Sequence, residues 1–187
     1  MKYYIKKFSC FSEEKQKEYL EFLDKEKLSQ FNSATNQNRK KSILISHGFL
    51  KEAVSQEYNI NKKDLVFSVT EKGKPFCRSH EDIHFSISHS GDYFAVAISE
   101  KEIGIDIQTI KSFNEKLVDR VCCEKEKLFV NSSENKSKAF TEIWTKKEAY
   151  LKALGTGIDR ELTTVDTTEL DFITECQDEF IVSVFCL

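Results

Sequence analysis

The segment of the sequence best suited to bind a ligand or take part in a reaction is Ile103-Gly-Ile-Asp-Ile-Gln. In a strand, alternate side chains point to opposite faces. The three isoleucines then form one face that buries well, whereas Gly104, Asp106 and Gln108 share the other. That second face presents a carboxylate two residues from a glycine, where a ligand could approach the backbone. The segment therefore either exposes an ordinary aspartate to water or presents Asp106 to a ligand.

A second candidate lies on the predicted helix that contains Trp144. At 3.6 residues per turn, Trp144, Glu148 and Leu151 fall on one stripe, so Glu148 lies on the face that packs inward. A buried carboxylate without a partner is costly, so Glu148 needs a cation. Lys152, one turn later, could supply it as an ordinary helix pair, or a metal ion could do so. Because Mg²⁺ prefers carboxylate oxygens supplemented by water and phosphate, Asp106 with Glu148 would make such a site.

Three weaker features are compatible with a phosphate ligand. His89, in Phe85-Ser-Ile-Ser-His-Ser-Gly, follows an apolar strand at its exit into a glycine turn, where side chains reach a cleft. Gly73-Lys-Pro is a turn, and Arg39-Lys-Lys stands at the start of a predicted helix, where the backbone favours anions. Each feature alone is most simply an ordinary turn or surface group. Together with the two carboxylates, they predict a site for a polyphosphate with magnesium.

These residues must be positioned by a mixture of helices and strands. Apolar periodicity predicts helices over residues 13–27, 39–58, 118–129 and 138–154, the last ended by the glycine at 155. Short apolar runs predict strands over residues 65–69, 83–88, 93–99, 103–108, 163–166 and 172–185. The short connections between the runs from 83 to 108 predict an antiparallel meander. The order of helix pair, strands, helix pair, strands predicts an α+β fold with a duplicated plan.

Composition excludes several classes of protein. The 187 residues carry a net charge of −3, which argues against a general nucleic-acid binder. No apolar run approaches the roughly 20 residues that a membrane span requires. The first residues alternate charge and ring too quickly for a signal peptide. We therefore expect a cytoplasmic protein whose cysteines are reduced thiols without a zinc-type spacing.

In chain order, Gly73-Lys-Pro, Phe85-Ser-Ile-Ser-His-Ser, Gly104-Ile-Asp-Ile and Trp144-Thr-Lys-Lys-Glu-Ala-Tyr-Leu-Lys resemble the motifs of the Sfp-type 4′-phosphopantetheinyl transferases. The resemblance runs from about residue 39 to residue 157. It implies two similar α+β halves related by a pseudo-twofold axis, residues 1–101 and 102–187, each a small antiparallel sheet with packed helices. It further implies that coenzyme A binds in the cleft between the halves and that the chain acts as a monomer.

The resemblance also implies an activity: transfer of 4′-phosphopantetheine from coenzyme A to a serine of an apo acyl or peptidyl carrier protein, releasing adenosine 3′,5′-bisphosphate. It assigns Mg²⁺ to Asp106 and Glu148, with Gln108 in contact directly or through a water. Glu148, or a metal-bound water, takes the serine proton, while His89 and Lys152 neutralise the diphosphate. The expected coenzyme ligands are Arg39, Lys41 (or Lys40 between them), Gly73, Lys74, Pro75, Ser88, His89, Lys147 and Lys152.

One position departs from the family pattern. The commonest form of the strand motif ends in an acid, and this chain has Gln108 there. An amide binds Mg²⁺ more weakly and cannot act as a base, which shifts the base assignment to Glu148. The first alternative is therefore a catalytically weak relative that binds coenzyme A or a carrier protein without efficient transfer. A different metal-dependent enzyme acting on phosphates is less favoured, because neither clustered acids nor a glycine-rich phosphate loop is present.

Overall fold

The helices and strands follow one another in two similar series. In the computed structural model, which describes residues 1–157 and 161–187, the helices are α1 (Glu13–Leu20), α2 (Lys25–Ser33), α3 (Gln37–Tyr58), α4 (Glu115–Val121), α5 (Glu124–Ser132) and α6 (Lys136–Leu154). The strands are β1 (Lys2–Lys7), β2 (Phe67–Val69), β3 (Pro75–Cys77), β4 (His84–Ser90), β5 (Tyr93–Ser99), β6 (Ile103–Thr109), β7 (Ile173–Cys176) and β8 (Phe180–Cys186). No helix in this described part of the chain combines the length and apolarity of a membrane span.

Each series builds one three-stranded antiparallel sheet. The strand order is β1-β5-β4 in the first sheet and β6-β8-β7 in the second. In the first sheet, β5 lies in the middle and pairs with β1 and β4. In the second sheet, β8 lies in the middle and pairs with β6 and β7. Strands β2 and β3 form a separate hairpin. The predicted α+β fold of small antiparallel sheets with packed helices is confirmed, and the strand order repeats from one series to the next.

Strand β5 separates two apolar layers. Phe94, Val96 and Ile98 belong to the cluster formed with helix α3. The intervening Ala95 and Ala97 belong instead to the cluster that contains the isoleucines of β6. Because alanine side chains are small, the two sheets can pack closely at this point. The predicted isoleucine face of β6 is thus buried, between the two sheets.

A side-chain cap and a left-handed glycine set the two ends of helix α6, which carries Glu148 and Lys152. Asn135 begins α6 by accepting a hydrogen bond from the backbone N–H of Lys138. Helix α6 ends at Gly155, whose φ of 66° is the left-handed conformation that glycine adopts without strain. The predicted stop at Gly155 is confirmed.

Several of the predicted elements were wrong or missed. The expected meander over residues 83–108 is broken, because β6 pairs with β8 and not with β5. The expected helix over residues 13–27 is interrupted between α1 and α2, and the expected helix over residues 118–129 is interrupted between α4 and α5. Residues 163–166 lie in and beside short 3-10 turns instead of a strand. Strands β1 and β3 were not predicted at all. Each error concerns a pairing or break that local apolar periodicity does not encode.

Candidate active site

Helix α6 lies directly against strand β6 at Gly104. A Cβ atom added to Gly104 would lie 1.8 Å from the carbonyl oxygen of Ala149 and 2.6 Å from the backbone nitrogen of Ala153. Only glycine allows this contact, because the opposing atoms are backbone and cannot rotate away. The expectation that a ligand would approach the backbone at Gly104 is therefore corrected: the backbone of α6 occupies that place.

This contact brings Asp106 to residues of α6. Asp106 lies two residues from Gly104 on the same face of β6 and is only 2% exposed. Its Oδ1 accepts hydrogen bonds from Ser88 Oγ at 2.6 Å and from Lys152 Nζ at 2.7 Å. Lys152 Nζ also donates to the carbonyl oxygen of Ile105 at 3.1 Å. A pair between Lys152 and Glu148 on the same helix was one of the two alternatives, but the ion pair of Lys152 joins it to Asp106 instead.

Glu148 faces the same cavity as Asp106 and Lys152. Burial raises the pKa of the Glu148 carboxyl, and the neighbouring Asp106 raises it further, while Lys152 lowers it. In the metal-free protein Glu148 is therefore a stronger base than an ordinary glutamate.

The donor set of this cavity fits a magnesium ion. Two carboxylates face one ammonium, which leaves one negative charge unbalanced. Carboxylate oxygens are the ligands that Mg²⁺ prefers, and it takes few of them from protein. Asp106 and Glu148 would hold the ion, one from a strand and one from a helix.

Gln108 extends the polar network around Asp106. Its Nε2 donates to Asp106 Oδ2 at 3.3 Å, and its Oε1 accepts from Ser90 Oγ, also at 3.3 Å. The amide nitrogen and not the amide oxygen thus faces Asp106 in this orientation. Direct contact between the Gln108 oxygen and a metal would require the amide to turn, whereas contact through a water would not.

A row of serines on β4 holds the two sheets together beside the site. Ser86 Oγ accepts from the backbone N–H of Ile105 at 3.1 Å, and Ser90 Oγ accepts from the backbone N–H of Thr109 at 3.0 Å. Ser88, between them, donates to Asp106 as described above. Side chains two residues apart on one strand thus replace a backbone ladder between β4 and β6. These hydrogen bonds fix the position of Asp106 along β6 relative to Ser88 and His89 on β4.

The remaining expected residues line cavities that adjoin this one. Gly73, Lys74 and Pro75 line a cavity together with Glu148 and Lys152. Ser88, His89 and Gln108 line the cavity that contains Asp106. Arg39 and Lys41 line a third cavity that shares His89 with the second. The structure therefore gathers these expected side chains along one cleft, while Lys40 lies over the ring of Phe31.

Lys74 is engaged within the protein. Its ammonium donates to the carbonyl oxygen of Ala153 at 2.6 Å and to the carboxylate of Glu102. The β2–β3 hairpin is thereby tied to the end of α6. Gly73, which precedes Lys74, has a φ of 83° and is left-handed, as the turn requires.

Lys147 is an expected coenzyme ligand that the structure places away from the cleft. Its side chain is 1% exposed and its ammonium lies 2.7 Å from the carboxylate of Glu126. It also donates to the carbonyl oxygens of Leu162, at 2.8 Å, and Val165. The expectation that Lys147 contacts the coenzyme is corrected. The sequence already indicated this, because Lys147 is 100° from Glu148 around the helix and therefore points to a different side of α6.

Sequence reasoning missed a buried charged cluster beside the cleft. Lys51 Nζ donates to Asp24 Oδ1 at 2.7 Å, and His47 Nε2 lies 3.2 Å from Asp24 Oδ2. Burial alone would raise the pKa of Asp24, but His47 and Lys51 outweigh it and lower the pKa to about 2. Burial also lowers the pKa of His47. Asp24 and His47 line a further cavity that His89 also borders. The i,i+4 spacing of His47 and Lys51 on α3 indicates that the two side chains are neighbours on one side of the helix, which could have predicted this cluster.

Two family models together match most of the chain. The family model of the 4′-phosphopantetheinyl transferase superfamily matches residues 102–185. The family model of the N-terminal part of 4′-phosphopantetheinyl transferases matches residues 10–101. The two models adjoin at the connection between β5 and β6.

Individual relatives carry the same name. The 4′-phosphopantetheinyl transferase gsp of Aneurinibacillus migulanus is 34% identical over 138 residues, which cover 73% of this chain and 57% of that protein. The 4′-phosphopantetheinyl transferase Sfp of Bacillus subtilis is 28% identical over 153 residues, covering 81% and 68%. The human L-aminoadipate-semialdehyde dehydrogenase-phosphopantetheinyl transferase is 26% identical over 155 residues, covering 74% and 49%. The chain thus spans about half to two thirds of the length of these relatives.

Among solved structures, the holo-[acyl-carrier-protein] synthase of Thermotoga maritima overlaps 44% of this chain and 60% of its own, with a TM-score of 0.39 and 22% identity. At that score the overlap adds nothing to the assignment. The two family models place the chain in the 4′-phosphopantetheinyl transferase superfamily. Within it, the chain belongs to the Sfp-type family.

Proposed function

We propose that this chain transfers 4′-phosphopantetheine from coenzyme A to a serine hydroxyl of an apo acyl or peptidyl carrier protein, in a magnesium-dependent reaction. The observation that carries the proposal is the pairing of Asp106 on β6 with Glu148 on α6 in one cavity, beside Lys152. Membership of the Sfp-type family and the order of its motifs support the same reaction.

The reaction forms one bond and breaks one. The serine oxygen attacks the phosphorus that carries pantetheine, and the bond from that phosphorus to the oxygen shared with the second phosphate breaks. The leaving group is adenosine 3′,5′-bisphosphate. Phosphoryl transfer of this kind depends mainly on positioning and on neutralising charge. Magnesium, when bound by Asp106 and Glu148, supplies charge neutralisation at the diphosphate.

The side chains of this chain divide the remaining work. Glu148 accepts the serine proton, since its carboxylate faces the cavity beside Asp106 and Lys152. Lys152 and His89 face the cavity and balance negative charge on the diphosphate as the leaving group departs. Ser88 holds Asp106 through its hydrogen bond and lines the same cavity.

Coenzyme A would lie along these adjoining cavities. The resemblance assigns Gly73, Lys74 and Pro75 to the nucleotide; they line the cavity that Glu148 and Lys152 also line, and Lys74 is fixed against the end of α6. Arg39 and Lys41 line the cavity on the far side of His89, where their charges suit the 3′-phosphate. The carrier protein would approach this cleft to present its serine to Glu148.

The proposal has further parts that rest on the family resemblance. The chain acts as a monomer in the cytoplasm, and neither nucleic acid nor a membrane is a partner. The boundary between its halves lies at the connection between β5 and β6, near residue 101.

The proposal is tested by intact-mass spectrometry of apo carrier proteins after incubation with the purified chain, coenzyme A and MgCl₂. We expect one phosphopantetheine group to be added to the serine of at least one acyl or peptidyl carrier. Glu148→Gln should slow the transfer by about 10²- to 10⁴-fold, the range of general base catalysis.

The matched control is Glu142→Gln on the same helix. Glu142 pairs with Lys146 at 2.6 Å and lies outside the cleft, so its replacement should leave the rate within about twofold. Near-normal turnover of Glu148→Gln at saturating magnesium would reject Glu148 as the base. Coenzyme A binding by calorimetry without any transfer would favour the weak relative that Gln108 suggests.

A further inference from the structure

We propose that Lys147 is a positioning residue: together with Glu126 it fixes the rotation of helix α6, and so the place of Glu148 opposite Asp106. The effect on catalysis rests on the proposed function, whereas the effect on the helix does not.

The first observation is that Lys147 is fully satisfied by groups outside its own helix. A lysine ammonium has three donors. Those of Lys147 meet the Glu126 carboxylate and the carbonyl oxygens of Leu162 and Val165. The side chain is 1% exposed, so water cannot replace a lost partner at low cost.

The second observation is that both carboxylate oxygens of Glu126 are also paired with donors. It is 0% exposed, and its Oε2 accepts from the backbone N–H of Cys123 at 2.8 Å in addition to Lys147. Its Oε1 accepts from the backbone N–H of Thr167 at 3.0 Å and from Thr167 Oγ1 at 2.7 Å. The pair therefore ties α6 to the start of α5 and to the chain at residues 162–167.

The same residues include a group of three potential metal ligands in the described part of the chain, Cys123, Glu126 and Asp166. Both Glu126 oxygens are already used by donors, one of them the cation Lys147. Burial also raises the pKa of the Cys123 thiol, which keeps it protonated. The cluster is an ion pair with its hydrogen-bond partners.

The third observation is where these contacts lie around α6. Successive helical residues are about 100° apart, so Lys147 and Ala149 flank Glu148 on opposite sides. On the Ala149 side, the helix backbone meets Gly104 of β6. On the Lys147 side, it is held by Glu126. Glu148 thus projects into the cleft between two fixed contacts, one a steric contact and the other an ion pair.

A small rotation would be enough to matter. A side chain reaches about 5–6 Å from the helix axis, so a rotation of about 10° moves its end by about 1 Å. A displacement of about 1 Å can cost a factor of about 10² in rate. Since the Gly104 contact alone limits rotation in one direction only, the Lys147–Glu126 pair supplies the opposite restraint.

The test uses the double variant Lys147→Met with Glu126→Gln, which removes both charges and keeps an amide that can bond to Thr167. The matched control is Lys146→Met with Glu142→Gln, which removes the neighbouring half-buried Lys–Glu pair of α6 outside the cleft. Transfer kinetics, Mg²⁺ binding by calorimetry without carrier protein, and the amide NMR shift of Gly104 are measured for each.

For the double variant we expect kcat to fall at least about 10-fold with the KM for coenzyme A within about twofold, because positioning acts on the reaction step. Mg²⁺ affinity should fall similarly and the Gly104 amide shift should move. The control should change none of these, and Lys147→Arg should recover most of the lost kcat.

A folded double variant with wild-type kcat, Mg²⁺ affinity and Gly104 shift would overturn the proposal. So would failure of both the double variant and Lys147→Arg to fold, since the pair would then act on stability alone. A wild-type chain without transfer would instead refute the proposed function, and the Gly104 shift would still decide whether Lys147 positions the helix.

Discussion

Replacement of Gly104 by alanine tests the contact that brings Asp106 and Glu148 together. The added Cβ would lie 1.8 Å from the Ala149 carbonyl oxygen, whereas ordinary contacts of this kind begin at 3.4 Å. The backbones of β6 and α6 must therefore separate by about 1.6 Å, the difference between these values. Because both opposing atoms are backbone, no side chain can turn away to relieve the clash.

Two losses should follow from this separation. Overpacking costs typically about 1–3 kcal/mol, and Gly104→Ala should lie at or above the upper end, measured by urea unfolding. Turnover per folded molecule should fall by about 10²-fold or more, because Asp106 and Glu148 lie on the two elements that move apart. Turnover is measured by transfer to an apo carrier protein at saturating coenzyme A.

Gly48→Ala is the matched control. Its Cβ would lie 2.2 Å from the Tyr19 side chain, in the other half of the fold. It should also lose stability, but turnover per folded molecule should stay within about threefold, since the β6–α6 contact is untouched. The reasoning is refuted if Gly104→Ala changes the unfolding free energy by less than about 0.5 kcal/mol and keeps turnover within about twofold.

Two further predictions concern pH. In metal-free protein the raised pKa of Glu148 means that its charged form opposes folding, a penalty that appears as the pH rises through that pKa. Metal-free Glu148→Gln should therefore unfold at higher urea concentration than wild type at pH 8, with the difference vanishing at lower pH; equal midpoints at pH 8 would contradict this. Asp24, lowered from 3.8 to about 2, stabilises the fold above its ordinary pKa and loses this effect as the pH falls towards 2. Asp24→Asn should cost at least about 2 kcal/mol at pH 6 by urea unfolding and progressively less below pH 4, and a cost that does not change with pH would count against the pairing with Lys51.

Periodicity within single elements determined much of the candidate site. Alternation along β6 put Asp106 on the face opposite the isoleucines, and the 3.6-residue period of α6 put Glu148 on its inward stripe. The glycine after α6 marked its end. These features depend on neighbours a few residues away in the sequence, which is why the sequence alone was enough to predict them.

Only the tertiary structure decided which elements meet. In the tertiary structure β6 pairs with β8, the backbone of α6 packs against Gly104, and Lys152 forms an ion pair with Asp106. Lys147 is also turned away from the cleft towards Glu126. Each of these contacts joins residues far apart in the sequence, and their choice depends on the packing of whole layers. Periodicity fixes the face on which a side chain lies, but the partner on that face is selected by the shape and charge of the element packed against it.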